Sequence, residues 1–197
     1  MVQRILLITC SLLIIGSNGF AQEIKQESEK YVKAEEFPAF ALDQLNGLSN
    51  LRNVRYIKEF DGSSISYEAK FRLKKQRLSV EFSRTGILED IEVLIRENEL
   101  PKKLRSALIE QLDNRYKKYK LTRIQKQFKP RSGKESSALR NFVDQKFGHF
   151  KIQYELEVRV VEKKTNKLGS YELLINKEGE IIQKRRIEKV IDDNVIY

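Results

Sequence analysis

The sequence predicts an α+β fold of two tandem repeats, each a helix followed by a four-stranded antiparallel sheet, with a helical insert in the second. Three observations predict it. First, Phe37-Pro38, a helical pattern and the runs Val54–Phe60, Ser66–Arg72 and Val80–Leu88 recur in order as Leu100-Pro101, a helical pattern and the runs Leu121–Phe128, Gln153–Val158 and Leu173–Ile181. Second, in each copy the spacing of apolar residues changes from helical to every second residue. Third, Asp61-Gly62 falls between two runs, and Thr85-Gly86 and Asn176–Gly179 fall inside the last run of each copy, at places where a hairpin needs a residue tolerant of positive φ.

The first 21 residues read as an export signal. Arg4 supplies the charge, Ile5–Ile15 the apolar stretch, and Gly19-Phe20-Ala21 the small-x-small cleavage site before Gln22. A stretch of eleven residues is too short for a bilayer, which needs roughly 20. The expected location is therefore periplasmic or secreted, after cleavage following Ala21, without a membrane span. Cys10 leaves with that segment: Thr9 precedes it and Ser11–Ile15 continues the apolar stretch past it, which disfavours a lipoprotein site.

Residues 22–35 are polar and predict a loosely held N-terminal extension. The first repeat covers 36–97. Pro38 suits a first helical turn, Phe40, Leu42, Leu45 and Leu48 give a short helix an apolar side, and Tyr67, Ala69, Phe71 and Leu73 share one side of a strand, as do Leu78, Val80 and Phe82. The second repeat covers 98–197. Leu104, Leu108, Leu112, Tyr116 and Tyr119 mark one helix face, followed by strands near 121–128, 151–161, 169–175 and 180–190. About 20 extra residues, at about 130–149, hold a second amphipathic pattern. Ser137 is placed to cap it, Leu139, Phe142, Val143 and Phe147 lie on one side, and Gly148 ends it. These four apolar residues are a candidate protein-contact element; covering the sheet is the simpler role.

These motifs resemble the PepSY-like exported proteins of Gram-negative bacteria, built like the beta-lactamase inhibitor protein from tandem helix-and-sheet units. The resemblance spans residues 36–190 and rests on Phe37-Pro38 and Leu100-Pro101, the Tyr67-Glu68 and Tyr154-Glu155 strands, and the 82–86 and 175–179 hairpins. Ser83 and Asn176 stand where the family often has Asp in the turn, and the insert departs from the pattern. The resemblance implies no catalytic residues. By fold analogy alone it suggests an inhibitor of a peptidase or other hydrolase.

Catalytic chemistry finds little support. His149 is the single histidine, which excludes a histidine-rich metal site. Glu89-Asp90-Glu92 and Asp192-Asp193 lack the alternating ligand spacing of a calcium loop and read as a solvated strand face and tail. No glycine-rich phosphate loop precedes a helix. No cofactor and no metal are expected.

Charge is the strongest functional hint. The chain carries a net +10, and residues 101–134 hold 12 Lys/Arg against two acidic residues. Lys102, Lys103, Arg105, Arg115, Lys117, Lys118, Lys120, Arg123 and Lys126 are the candidate binding residues for an anionic partner. Export disfavours nucleic acid. A non-enzymatic binding protein for another protein or an anionic envelope component is therefore expected. Tyr67, Phe71, Tyr154, Leu156 and Val158 are expected in the core, with an exposed aromatic sheet face as the alternative.

Overall fold

A computed structural model describes residues 23–25, 27–62 and 64–188; the export signal, its cleavage site and Asp192-Asp193 lie outside them. The strands are β1 (Glu23–Lys25), β2 (Glu27–Val32), β3 (Arg52–Asp61), β4 (Ser64–Leu73), β5 (Gln76–Ser83), β6 (Leu88–Leu94), β7 (Tyr116–Pro130), β8 (Phe150–Glu162), β9 (Leu168–Asn176) and β10 (Ile181–Ile187). The helices are α1 (Ala39–Asn46), α2 (Lys102–Arg115) and α3 (Ala138–Val143).

The expected fold class, two tandem helix-plus-four-strand repeats, is corrected here. All the strands belong to one ten-stranded sheet, ordered β1-β10-β9-β8-β7-β6-β5-β4-β3-β2. β6 joins β7 through Ile91↔Phe128, Glu92↔Gln127, Val93↔Lys126 and Leu94↔Gln125. This pairing satisfies the backbone groups that a separate four-stranded sheet would have left at its edge. All neighbouring pairs are antiparallel except β1 with β10.

One face of the sheet is apolar and covered. α1 buries Ala41 and Leu45, one turn apart, in a cluster with Phe37, Phe71, Val80, Phe82 and Ile91. α2 buries Leu104, Leu108 and Leu112 against Ile124, Leu156, Val158, Leu173 and Ile175. Both α1 and α2 are tied to a hairpin by a glutamine: Gln44 Nε2 donates to the Gly86 carbonyl at 3.1 Å and Gln111 Nε2 to the Gly179 carbonyl at 2.6 Å. Tyr67, Phe71, Tyr154, Leu156 and Val158 all lie on this covered side, in or against the core.

Two elements differ from expectation. α2 stops at Arg115, and Tyr116, at φ −121° and ψ 148°, begins the strand instead of extending the helix face; pairing with β8 begins there, at Tyr116↔Glu162. The polar stretch 22–35 is not a loose extension. It supplies β1, on the β10 edge, and β2, whose partners on β3 run from Glu27↔Asp61 to Val32↔Tyr56.

That last arrangement shapes the molecule. β1 and β2 flank opposite ends of the sheet, yet one residue separates them, which holds their ends within about 7 Å. The sheet must therefore curl until its two ends meet. A direct contact shows the same closure: Arg185 Nη1 on β10 donates to Asp61 Oδ2 on β3 at 3.2 Å, although seven strand spacings would set those strands roughly 33 Å apart in a flat sheet. The helices sit outside this curl, and the opposite face lines its interior.

Candidate functional site: the charged concave face

Strand alternation sends every second side chain to the inner face, and nearly all of these are polar. A cavity of about 520 Å3 lies there, lined from β2 through β10. Its acidic residues are Glu29, Glu59, Asp61, Glu68, Glu81, Glu89, Asp90, Glu92, Glu155 and Glu172, against the cations Lys70, Arg84, Arg123, Lys129 and Arg185. An acidic interior inside a chain of net +10 is the opposite of what overall charge suggests.

Much of this charge is internally bonded. Arg185 clamps Glu172 through Nε, at 2.8 Å, and Nη2, while its Nη1 reaches Asp61. Lys70 Nζ lies 2.7 Å from Glu68 Oε2 and 3.1 Å from Glu29 Oε1. Burial pulls the Lys70 ammonium down, but Glu68 and Glu29 outweigh it and its pKa stands above the ordinary value. Glu29, Glu59 and Glu68 each place a carboxylate oxygen within 4.8 Å of the others. Lys70 already supplies positive charge to two of the three, and Ser66 Oγ donates to Glu59. Ser79 Oγ donates to Glu68 from the neighbouring strand.

Two neighbouring carboxyls of the interior lie on β6, Asp90 buried and Glu92 half-buried. Gln127 Nε2 donates to Asp90 Oδ2 at 3.0 Å and to Glu92 Oε1 at 3.4 Å, and Gln125 Nε2 donates to Glu92 Oε2. Burial, then the charge of Glu81, pushes the Asp90 carboxyl well above the usual range, with Lys129 opposing. Glu92 is raised likewise, by burial and then by Glu155 and Asp90, with Arg123 opposing. Both carboxyls hold their protons beyond the pH at which an exposed carboxyl ionises.

The interior also has a cationic end. A groove of about 500 Å3 is lined by Asn53, Arg55, Lys70, Phe71, Arg72, Arg77, Leu78, Ser79, Leu94, Arg123 and Gln125, with no carboxylate among them. Lys120, opposite Arg159, lies on the same face farther along β7.

The candidate anion-binding residues do not form one patch. Lys102, Lys103 and Arg115 project from α2 on the outside, and Arg105 is half-buried there. Lys117 donates to Asn166 Oδ1 at 2.9 Å. Lys126 points to the covered side, its Nζ 5.0 Å from the centre of the Phe128 ring, and burial lowers its pKa. Lys118, Lys120 and Arg123 alternate with the core residues of β7 toward the inner face, where Arg123 meets Glu157 at 3.3 Å. In the insert, Leu139 and Phe142 are buried and Val143 packs against the same cluster. Phe147, more than a third exposed, tilts against Phe128 at 5.2 Å. α3 thus covers the sheet. His149 is half-buried, and its carbonyl accepts from Arg131 N.

Sequence reasoning treated Glu89-Asp90-Glu92 as a solvated face and did not single out Arg55, Arg72 or Arg77. A signal was present: Gln125, Gln127 and Gln153 occupy alternate positions of β7 and β8, and glutamine can satisfy a buried carboxyl where lysine would reach for solvent.

No family model matches the sequence, and no curated protein does. The fold has solved counterparts. The chain is similar to a protein from Bacteroides eggerthii inferred to be periplasmic, at 12% identity, over 76% of this chain and 88% of that one, with a TM-score of 0.50. It is also similar to a DUF2874 family protein from Bacteroides uniformis (16% identity, 76% and 89% of the two chains, TM-score 0.49) and to a BLIP-like protein from Bacteroides fragilis (14%, 79% and 91%, 0.49). At these identities the likeness concerns the fold alone. Among the described residues no helix is long and apolar enough to cross a membrane.

Proposed function

We propose that this chain is a non-enzymatic exported binding protein, periplasmic or secreted after cleavage following Ala21, which takes its ligand on the concave charged face. The observation that carries this reading is the curl of the sheet. It gathers charged side chains from nine strands around a cavity of about 520 Å3 on the side that none of the described helices covers, and a concave site with convergent polar groups is the usual form of a ligand site. The motifs of the PepSY-like exported proteins support the same compartment. The ligand is a protein or an anionic envelope component; inhibition of a peptidase or other hydrolase is the alternative, supported by fold analogy alone.

The test plugs the cavity at its rim. Ser64 is exposed and lines it, so Ser64→Trp should fill the entrance without disturbing the core. Capture from envelope extract at low and high salt should recover a partner with the wild type and lose it with Ser64→Trp. Charge reversal of Lys102 and Lys103 on the outer helix should leave capture intact. A partner retained by Ser64→Trp and lost on the α2 reversal would overturn the assignment of the face.

A further inference from the structure

The register of β3, β4 and β5 contains an arrangement that sheet energetics disfavours. Arg72 stands directly opposite Arg77, Arg52 opposite Arg72, and Arg55 opposite Lys70. Like charges facing each other across a strand pair destabilise a sheet. Arg55, Arg72 and Arg77 are exposed, and none of the three takes part in the ion pairs found among the described residues. β3 is bulged between Arg52 and Arg55, with Asn53 in the left-handed region at φ 54°, and bulges re-aim side chains beside functional sites. The groove so formed, about 500 Å3, is within the size range of ligand pockets and contains no carboxylate.

We propose that this cationic end of the concave face is an anion site for a ligand carrying two or more phosphate groups. The guanidinium fork matches a phosphate in two parallel hydrogen bonds, which a lysine cannot do. The cations stand on two rungs, Arg72 with Arg77 and Arg55 opposite Lys70, whose own charge is shared with Glu68 and Glu29; the rungs are two residues apart along β4 and so roughly 7 Å apart. That spacing suits linked phosphates better than a single monovalent anion. Bound phosphates would also neutralise the facing arginines and remove the repulsion. The proposal rests on the reading of the concave face as the ligand surface and names the chemistry of one end of it.

The probe is inorganic pyrophosphate, titrated calorimetrically at low salt into the full chain. The wild type should bind it, and Arg72→Ala with Arg77→Ala should weaken binding about tenfold or more, as expected for lost charge-assisted hydrogen bonds. Lys102→Ala with Lys103→Ala should stay within about twofold of the wild type, since these residues contribute only long-range field. The melting temperature of the Arg72/Arg77 double variant should be unchanged or raised, because it removes a repulsive pair. Vesicles containing cardiolipin, whose headgroup links two phosphates, form a second arm. Binding of pyrophosphate alone assigns a soluble phosphate ligand, and vesicle binding lost in the same double variant assigns a headgroup. Absence of binding at millimolar pyrophosphate, or equal weakening by the two double variants, overturns the site. Ser64→Trp leaves every groove residue in place, so failure of the plugged-cavity test and failure of this one are read separately.

Discussion

The two faces of this sheet are sheltered to different degrees and by different means. The outer face is apolar and is covered by helices that precede or interrupt the strands in sequence, so Leu104, Leu108 and Leu112 meet Leu156 and Leu173 as ordinary core. The inner face is charged and is covered by the sheet itself, which curls until Arg185 reaches Asp61. Burial of the first face supplies hydrophobic stabilisation. Burial of the second costs desolvation that Arg185, Lys70 and the glutamines of β7 offset. Keeping so many charges on a partly enclosed face lowers stability there, and this cost is the physical ground for the proposal that the ligand binds on it.

The largest expected effect separates the faces at adjacent residues of β5. Phe82 is fully buried and meets Phe37 edge to face at 5.9 Å. Phe82→Ala should cost about 3 to 5 kcal/mol by loss of contacts and a residual cavity. Glu81 lines the concave cavity and, by its charge, raises Asp90, so Glu81→Gln should cost little. Urea denaturation of the two variants checks this, and equal losses would erase the distinction between the faces.

Closure comes next. Arg185→Ala leaves Glu172, buried on β9, without the guanidinium that clamps it, and breaking such a pair costs about 3 kcal/mol or more. Asp61→Asn should cost about 1 kcal/mol or less, because Asp61 is more than a third exposed and its pairing with Arg185 is screened. Hydrogen exchange should show β2 and β10 amides opening faster in Arg185→Ala than in Asp61→Asn. Unchanged exchange at these strands would mean that the Arg185 contact does not hold the curl.

What was legible in the sequence follows the same division. The alternation of Tyr67, Ala69 and Phe71 with Glu68 and Lys70 shows which residues share a face, and the helical spacing of Leu104, Leu108 and Leu112 shows what covers one of them. These are local periodicities. The pairing of β6 with β7 depends on which two edges meet, a contact that the spacing within either strand does not encode, so a single sheet was not distinguishable from two. The same holds more strongly for the contact of Arg185 with Asp61, 124 positions apart. Because the curl was invisible, Asp90 read as part of a solvated strand face, and nothing in the local pattern singled out Arg72 or Arg77.

A smaller comparison concerns the two hairpins against which α1 and α2 pack. Gly86 has φ +83°, and an added Cβ would lie 2.9 Å from Ala41 N, a backbone atom with nowhere to move. Gly179 has φ +93°, but its Cβ would meet the Ala107 methyl at 3.0 Å. Both substitutions to Ala carry backbone strain of about 1 to 3 kcal/mol. Gly86→Ala should be the worse of the two, since only there must the helix itself shift. Thermal melts rank them, and the reverse order would show that α2 is held more tightly to its hairpin than α1.

The smallest effect is also the most specific to the inner face. Asp90 and Glu92 have folded pKa values above their unfolded ones. The native chain therefore holds protons that the unfolded chain has released once pH passes the ordinary carboxylate range. Stability is then greatest on the acid side of this window and falls as pH rises through the folded values. Asp90→Asn removes one of the two groups while retaining an oxygen that can accept the bond from Gln127. The variant should gain on the wild type as pH rises, so the difference between their melting temperatures at pH 8 should favour the variant more than at pH 5. A wild type that becomes more stable than Asp90→Asn with rising pH would mean that Asp90 is ionised in the folded chain, and that the cavity is wetter than its burial indicates.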